Sequence, residues 1–519
     1  YHPAAGGVGP KMGGLFKTAV NYDPPHWDHQ ITLSYQTGRY TSHIFNKLLR
    51  AKQGEHINPY AFELEGDLAE KWKWVNPTTV IFSLRKGVKF HNKPPVNGRE
   101  LTSADVKYTF ERILSPELKS PVRSLYEVIK SIETPDRYTV KFILSEPYAP
   151  FTYYTALTFV SIIPKEVVEK FGDLKKWESM IGTGPFILEK NEPNVRVLFK
   201  RNPDYFEKGR PYLDGVEYRV IKSPEIMNTA VRNKELDIGI THPFPDYEST
   251  QEMLKVHPGM KMMEYHGNNW PYVTFATDKP PFNDKRVRQA FSMSFDRKKQ
   301  LMTLYNGRGW IDSMIGVALR GSIPIEKLGE SAQWFRYDPA KAKKLLREAG
   351  LTPPVKVKLL FCPVYGANFV SGLEVLASQI KNAGTFDIEL VSQEYGAYVS
   401  ATIIGKYDAD GFYGLSTPTV DADHRLYIRF HSTGSANAAR VKDPALDKLL
   451  DEQRGEINDK KRMEILKKLQ IYTADQMYVM PVVVMPYYDM WFPYVKGYRQ
   501  HVVPMMDWGV NFSQVWLDK

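Results

Sequence analysis

The chain reads as an α/β protein made of more than one globular unit, and three observations lead there. At 519 residues it exceeds what a single hydrophobic core serves, so two or three units are expected. β-Branched, alternating runs of strand length, such as Thr79–Leu84, are followed by amphipathic runs opened by capping residues, such as Thr102-Ser103-Ala104-Asp105. Val355–Phe361, the apolar-periodic segment 371–383 and the run 388–391 then follow one another as strand, helix and strand, which is a βαβ unit.

Composition narrows the function. Apolar residues make up 43% and charged residues 25%, ordinary for a globular protein, and no run of 18 apolar residues predicts a spanning helix. The chain opens on Tyr1-His2-Pro3-Ala4-Ala5-Gly6 without a basic and apolar leader, which fits a cytosolic protein or one whose leader has been removed. Cys362, the single cysteine, lies in an apolar context; it is expected as a small buried hydrophobe and is not placed as a lipidated N-terminal residue. The net charge of +10 comes from 69 Lys and Arg interspersed with 59 Asp and Glu. Without a basic block this predicts no nucleic-acid groove. Aromatics at 13%, with 31 Tyr and 10 Trp, suit a large cleft for a polar organic ligand.

Taken in order, residues 1–12 are a Gly- and Pro-rich arm and Leu15–Val20 a first strand. The loop 21–29 holds His26, Asp28 and His29, whose spacing fits no standard zinc pattern, so a loop-stabilising role is expected and no metal. A helix over 41–49 turns Ile44, Leu48 and Leu49 inward. The stretch 68–114 is the centre of the chain. Thr79–Leu84 is a strand, Arg85-Lys86-Gly87 a turn, and Pro94-Pro95 and Asn97-Gly98 break the chain before the capped helix, on which Val106, Thr109, Phe110 and Ile113 share a face. Trp72, Trp74, Phe82, Phe90 and Phe110 are expected in the core.

That ordered stretch, with Leu84-Arg85-Lys86-Gly87-Val88-Lys89-Phe90-His91 leading to Asp105-Val106-Lys107-Tyr108-Thr109-Phe110-Glu111-Arg112, closely resembles the signature region of bacterial extracellular solute-binding proteins of family 5, the peptide, nickel and opine class. Later segments extend the resemblance: Gly182-Thr183-Gly184-Pro185-Phe186, read as a tight turn and not a phosphate loop; Asn202-Pro203-Asp204-Tyr205-Phe206; 211–216; 233–239; and the run 280–291 with a helix ending near Asp296-Arg297. Asp338 caps a further helix with Pro339 in its first turn. Strands are expected over 138–143, 160–163, 186–188, 273–276, 408–415 and 479–485. Helices are expected from Pro164, over 443–450, and over 461–474 with Met463, Leu466, Leu469 and Ile471 buried.

The resemblance implies a two-lobed periplasmic-binding-protein fold of the second type, in its large form with an extra subdomain, mixed sheets flanked by helices, and a hinge of two crossings. The first crossing falls at 266–270 and the second at 487–491. Residues 13–50, 177–266 and 492–519 then form the core of a first lobe, 51–176 its extra subdomain and 267–491 the second lobe. The implied function is solute capture between lobes for an ABC importer, outside the cytoplasmic membrane, by a monomer whose partners are a peptide or peptide-like ligand and the membrane permease, with no cofactor. Candidate ligand residues are Tyr22 and Trp27; Asn268, Asn269 and Trp270; and Tyr365, Tyr395, Tyr413, Thr417 and Asp421. If Asp421-Ala422-Asp423 matches the family's Asp-Pro-Asp, the position that holds a peptide's α-amine is Pro418, which has neither charge nor donor. A non-peptide solute such as an opine or oligosaccharide is therefore the alternative reading. Nickel would need more histidine than His26 and His29 supply. A glycosidase-like hydrolase, needing two carboxylates across a cleft, is the alternative from another class; metallohydrolase and serine-hydrolase motifs are absent from the sequence.

Overall fold

The computed structural model describes residues 9–60, 63–239, 247–267, 270–316, 319–416, 419–502 and 510–519. The chain divides into two compact units, the first formed by 1–265 with 487–519 and the second by 266–486.

In the first unit Leu15–Val20 pairs in parallel with Gly215–Val220, and Arg196–Arg201 and Phe186–Glu192 complete a four-stranded sheet. A second four-stranded sheet, antiparallel, orders Ala69–Asn76, Thr79–Leu84, Thr139–Leu144 and Ile129–Asp136. The alternation of Thr79–Leu84 puts Val80, Phe82 and Leu84 inward. Helix Ser103–Leu114 packs there through Val106, Thr109, Phe110 and Ile113; the Phe110 ring meets Phe142 edge-on at 4.9 Å. Its start is fixed by Asp105, whose Oδ2 accepts from the Thr102 N–H at 2.9 Å, a reciprocal cap. Arg99 ties that carboxylate to Glu166 on helix Lys165–Phe171. Trp72 and Trp74, expected in the core, are half-buried on the outer strand.

The Gly182-Thr183-Gly184 turn lies against the end of helix Tyr35–Ile44. A Cβ at Gly182 would stand 2.2 Å from the Ile44 carbonyl oxygen, and one at Gly184 2.5 Å from that of His43. Close backbone approach, not phosphate, is what these glycines serve.

The second unit is built on a five-stranded sheet ordered Phe386–Ser392, Val355–Phe361, Gly411–Leu415, Pro271–Phe275, Val479–Pro481. The first three strands run parallel and Pro271–Phe275 runs against them. Its core gathers Phe275, Phe282, Phe291, Phe386, Leu373 and Leu376 among others. Asp338 caps helix Pro339–Glu348 through the Lys341 N–H at 2.9 Å.

Several expectations are corrected. The helix sought over 41–49 is Tyr35–Ile44, opened by Ser34, and Leu49 begins the strand Leu49–Ala51. No strand covers 160–163: a 3₁₀ turn Thr158–Val160 ends there, and the Ile162 and Ile163 amides are bonded to Asn46 O and Thr109 Oγ1 instead. The helix expected to reach 296–297 stops at Met293, and Asp296 caps a separate helix, Arg297–Tyr305. On helix Asp459–Gln476, Met463 and Ile471 are only half-buried, whereas Arg462 is buried. The segment 487–491 is not among these: it lies in the strand Pro486–Trp491, paired with Lys261–His266, where the chain leaves the second unit for the first.

Candidate functional site

In the second unit the topology selects one edge of the sheet. The C-terminal ends of the parallel strands and the start of Pro271–Phe275 meet there, the place where open α/β sheets bind ligands. Four expected residues come from that edge. Tyr365 closes the short turn after Val355–Phe361 and is half-buried; Tyr395 begins the helix after Phe386–Ser392 and is exposed. Trp270 stands at the entry to Pro271–Phe275, and Asp421 caps the helix Ala422–Phe430 that follows Gly411–Leu415. Asn268, Asn269, Thr417 and Pro418 lie outside the described residues.

Two of these have occupied side chains. The Asp421 carboxylate is buried and takes both Arg462 guanidinium nitrogens, at 2.8 and 2.6 Å. Burial pushes the Asp421 pKa up, but Arg462, with the Asp423 N–H and Arg320, holds it below its ordinary value. The Trp270 ring is 2% exposed, with Arg425 Cζ 3.6 Å from its centroid and Gly316 on it: a Cβ there would stand 2.8 Å from the indole. Tyr413, expected on the wall, is in the core, its ring 4.5 Å from Phe369, because it points to the helix-covered face of its strand.

Sequence reading missed Tyr272, Tyr398 and Arg429. Tyr272 follows Trp270 by two residues, the strand period, and Arg429 follows Arg425 by four, the helix period. Arg429 Nη1 donates to Tyr272 Oη at 2.6 Å, and its Cζ lies 5.0 Å from that ring. Tyr272 faces Gly414 across the strands, where a Cβ would stand 2.9 Å from both Tyr272 Cζ and Tyr398 Oη. The missing side chain makes room for both phenols. Burial raises the Tyr398 pKa far above the ordinary phenol and pushes Tyr365 up to about 12, so both remain hydrogen-bond donors.

In the first unit the loop 21–34 follows the C-terminal end of Leu15–Val20. Tyr22 is exposed there, whereas Trp27 is buried and stacked on Tyr40 at 5.4 Å. Arg112 holds both Asp28 oxygens, at 2.7 and 3.4 Å, and His29 is buried against Phe45. Burial brings His29 down to about 4, with Asp28 opposing. Tying down this loop is the visible work of Asp28. Among the described residues no group of three His, Cys, Asp or Glu is placed to hold a metal ion, and no helix is long and apolar enough to cross a membrane.

A two-unit α/β architecture with aromatic strand-end loops is the form of a solute receptor. Residues 63–437 match the family described as bacterial extracellular solute-binding proteins, family 5 Middle, and the chain belongs to it. It is similar to heme-binding protein A of Haemophilus influenzae, 27% identical over 480 residues that cover 88% of this chain and 84% of that protein. To the dipeptide-binding protein of Escherichia coli it is 27% identical over 487 residues, covering 89% and 86%. Among solved structures, the DppA periplasmic binding protein of Helicobacter pylori in complex with the peptide STSA superposes with a TM-score of 0.74 at 23% identity, over 98% of this chain and 99% of that one. The periplasmic-binding-protein fold is therefore shared.

Proposed function

We propose that this protein is the extracytoplasmic receptor of an ABC importer, which captures a peptide or peptide-like solute and delivers it to the membrane permease. The observation that carries the reading is the convergence of Tyr365, Tyr395, Tyr272 and Tyr398 on the strand-end edge of the second unit. Phenol rings offer a polar organic solute flat apolar area with a hydroxyl at the rim, at little entropic cost. Tyr22 serves in the same way on the strand-end loop of the first unit. Binding, not turnover, is the task of such an edge, since a receptor must release its solute unchanged.

A non-peptide solute is the second reading. It is favoured by Asp421 and Asp423, whose carboxylates are spent on Arg462 and on Arg454 with Gln453. Neither is left for a peptide's α-amine.

Native and then denaturing mass spectrometry of the purified protein separates the two. A ladder of peptide masses supports the first reading, and one recurrent non-peptide mass supports the second. Conversion of bound solute into product would overturn both.

A further inference from the structure

Helix Ala422–Phe430 and strand Pro271–Phe275 lay cations on aromatic rings in two tiers, Arg425 on Trp270 and Arg429 on Tyr272. The spacings match because four helical residues rise about 6 Å and two strand residues about 6.7 Å. The tiers differ in what is left over. Arg425 is buried, and Nη1 donates to the Ile315 carbonyl at 2.7 Å. Arg429 is half-buried and donates to Tyr272 Oη. Among the described residues no carboxylate stands at ion-pair distance from it, and a guanidinium has further donors to use.

The nearby acids are engaged elsewhere. Asp421 is held by Arg462, and Asp423 by Arg454 at 2.9 Å and by Gln453. Glu394, exposed on the same edge, caps its own helix through the Ala397 N–H. Arg425 and Arg429, one turn apart, repel; burial, and Arg429 after it, depresses the Arg425 pKa, against Asp312 and Tyr272. Beside Arg429, the buried Tyr398 hydroxyl has no hydrogen-bond partner among the described residues, and the Tyr365 phenol is next to it. A buried donor without an acceptor is costly unless a ligand supplies one.

We propose that Arg429, with the Tyr398 and Tyr365 hydroxyls, forms an oxyanion-binding site and that the transported solute presents a carboxylate to it. The proposal rests on the solute-receptor reading. Such an anion would accept from the guanidinium and the phenols and relieve the repulsion between the arginines.

The test is calorimetric titration of wild type, R429Q, R429K and Y398F with a di- and tripeptide library in free-acid and C-terminally amidated forms. It is paired with acetate and inorganic phosphate titrations followed by arginine side-chain NMR. Wild type should prefer the free acids by on the order of tenfold to a hundredfold. R429Q should lose that preference, R429K keep part of it, and Y398F weaken it severalfold. If R429Q does not fold, as circular dichroism will show, the other two variants carry the comparison. Equal binding of acid and amide by wild type and all folded variants overturns the site and leaves the peptide reading standing. No peptide binding, with an Arg429-dependent response to acetate, overturns the peptide reading and supports the site. A response to phosphate at far lower concentration than to acetate replaces the carboxylate by a phosphoryl group, and no response to either anion without acid preference overturns the site.

Discussion

Asp489 is buried in the first unit, its Oδ2 accepting from Tyr498 Oη at 2.6 Å and its Oδ1 from the Met490 N–H at 2.9 Å. Burial raises its pKa to about 7, more than these bonds and Arg39 lower it. A carboxyl whose folded pKa lies above its unfolded value near 3.8 contributes stability in full below 3.8, and loses it as pH rises through 7. D489N should therefore melt above wild type at pH 8 and close to it at pH 4. Scanning calorimetry at the two values checks this; a variant that is less stable at pH 8 would show that the ionised carboxylate is welcome there. Buried His29, His43 and His91, lowered by burial to about 4, 3 and 4, act in the opposite sense. They stay neutral in the fold and cost stability as pH falls from about 6.5 towards those values, but they are common to both proteins and cancel in the comparison.

Between elements, the Asp421–Arg462 pair joins the start of helix Ala422–Phe430 to helix Asp459–Gln476. Removing one partner strands a buried charge, so D421A should cost about 3–5 kcal/mol in chemical denaturation. The double variant D421A/R462M should recover much of it, and the folded fraction of D421A should bind free-amine solutes as wild type does. Loss of that binding alone, with stability intact, would return Asp421 to the ligand. From sequence Asp421 reads as a candidate ligand residue because its partner is 41 residues on, on a helix whose expected buried face is apolar. Legible elements were those whose signals are local: Leu15–Val20, Thr79–Leu84 and Val355–Phe361 keep their expected bounds, and Asp338-Pro339 and Thr102 open helices as their chemistry dictates. Illegible ones depended on tertiary pairing. Leu48 and Leu49 continue a helical period yet are buried by extended chain, and 160–163 is apolar without sheet partners. At the edge of the second unit, Tyr365, Tyr395 and Trp270 were readable as aromatics at strand ends. Arg429 was not, because its significance lies in having no carboxylate at ion-pair distance among the described residues.

Over the whole molecule, the second unit is one continuous stretch, 266–486, while the first is assembled from both ends of the chain. The second unit owns its sheet and core, so 266–486 expressed alone should unfold cooperatively with native-like circular dichroism. A fragment without a cooperative transition would mean that its core depends on the rest of the chain. The first unit has no such independence: Ile238 bridges to Trp491, and the Asp237 carboxylate binds the Lys17 N–H at 2.7 Å and Tyr494 Oη at 3.0 Å. Any process that delivers the chain from its N-terminus, a ribosome or a translocation channel, thus releases the beginning of this unit long before its final pieces. At ordinary rates of synthesis the delay is roughly ten to forty seconds, during which the inserted unit can mature while its host waits with an open sheet edge. The early half is the part a chaperone would have to shelter.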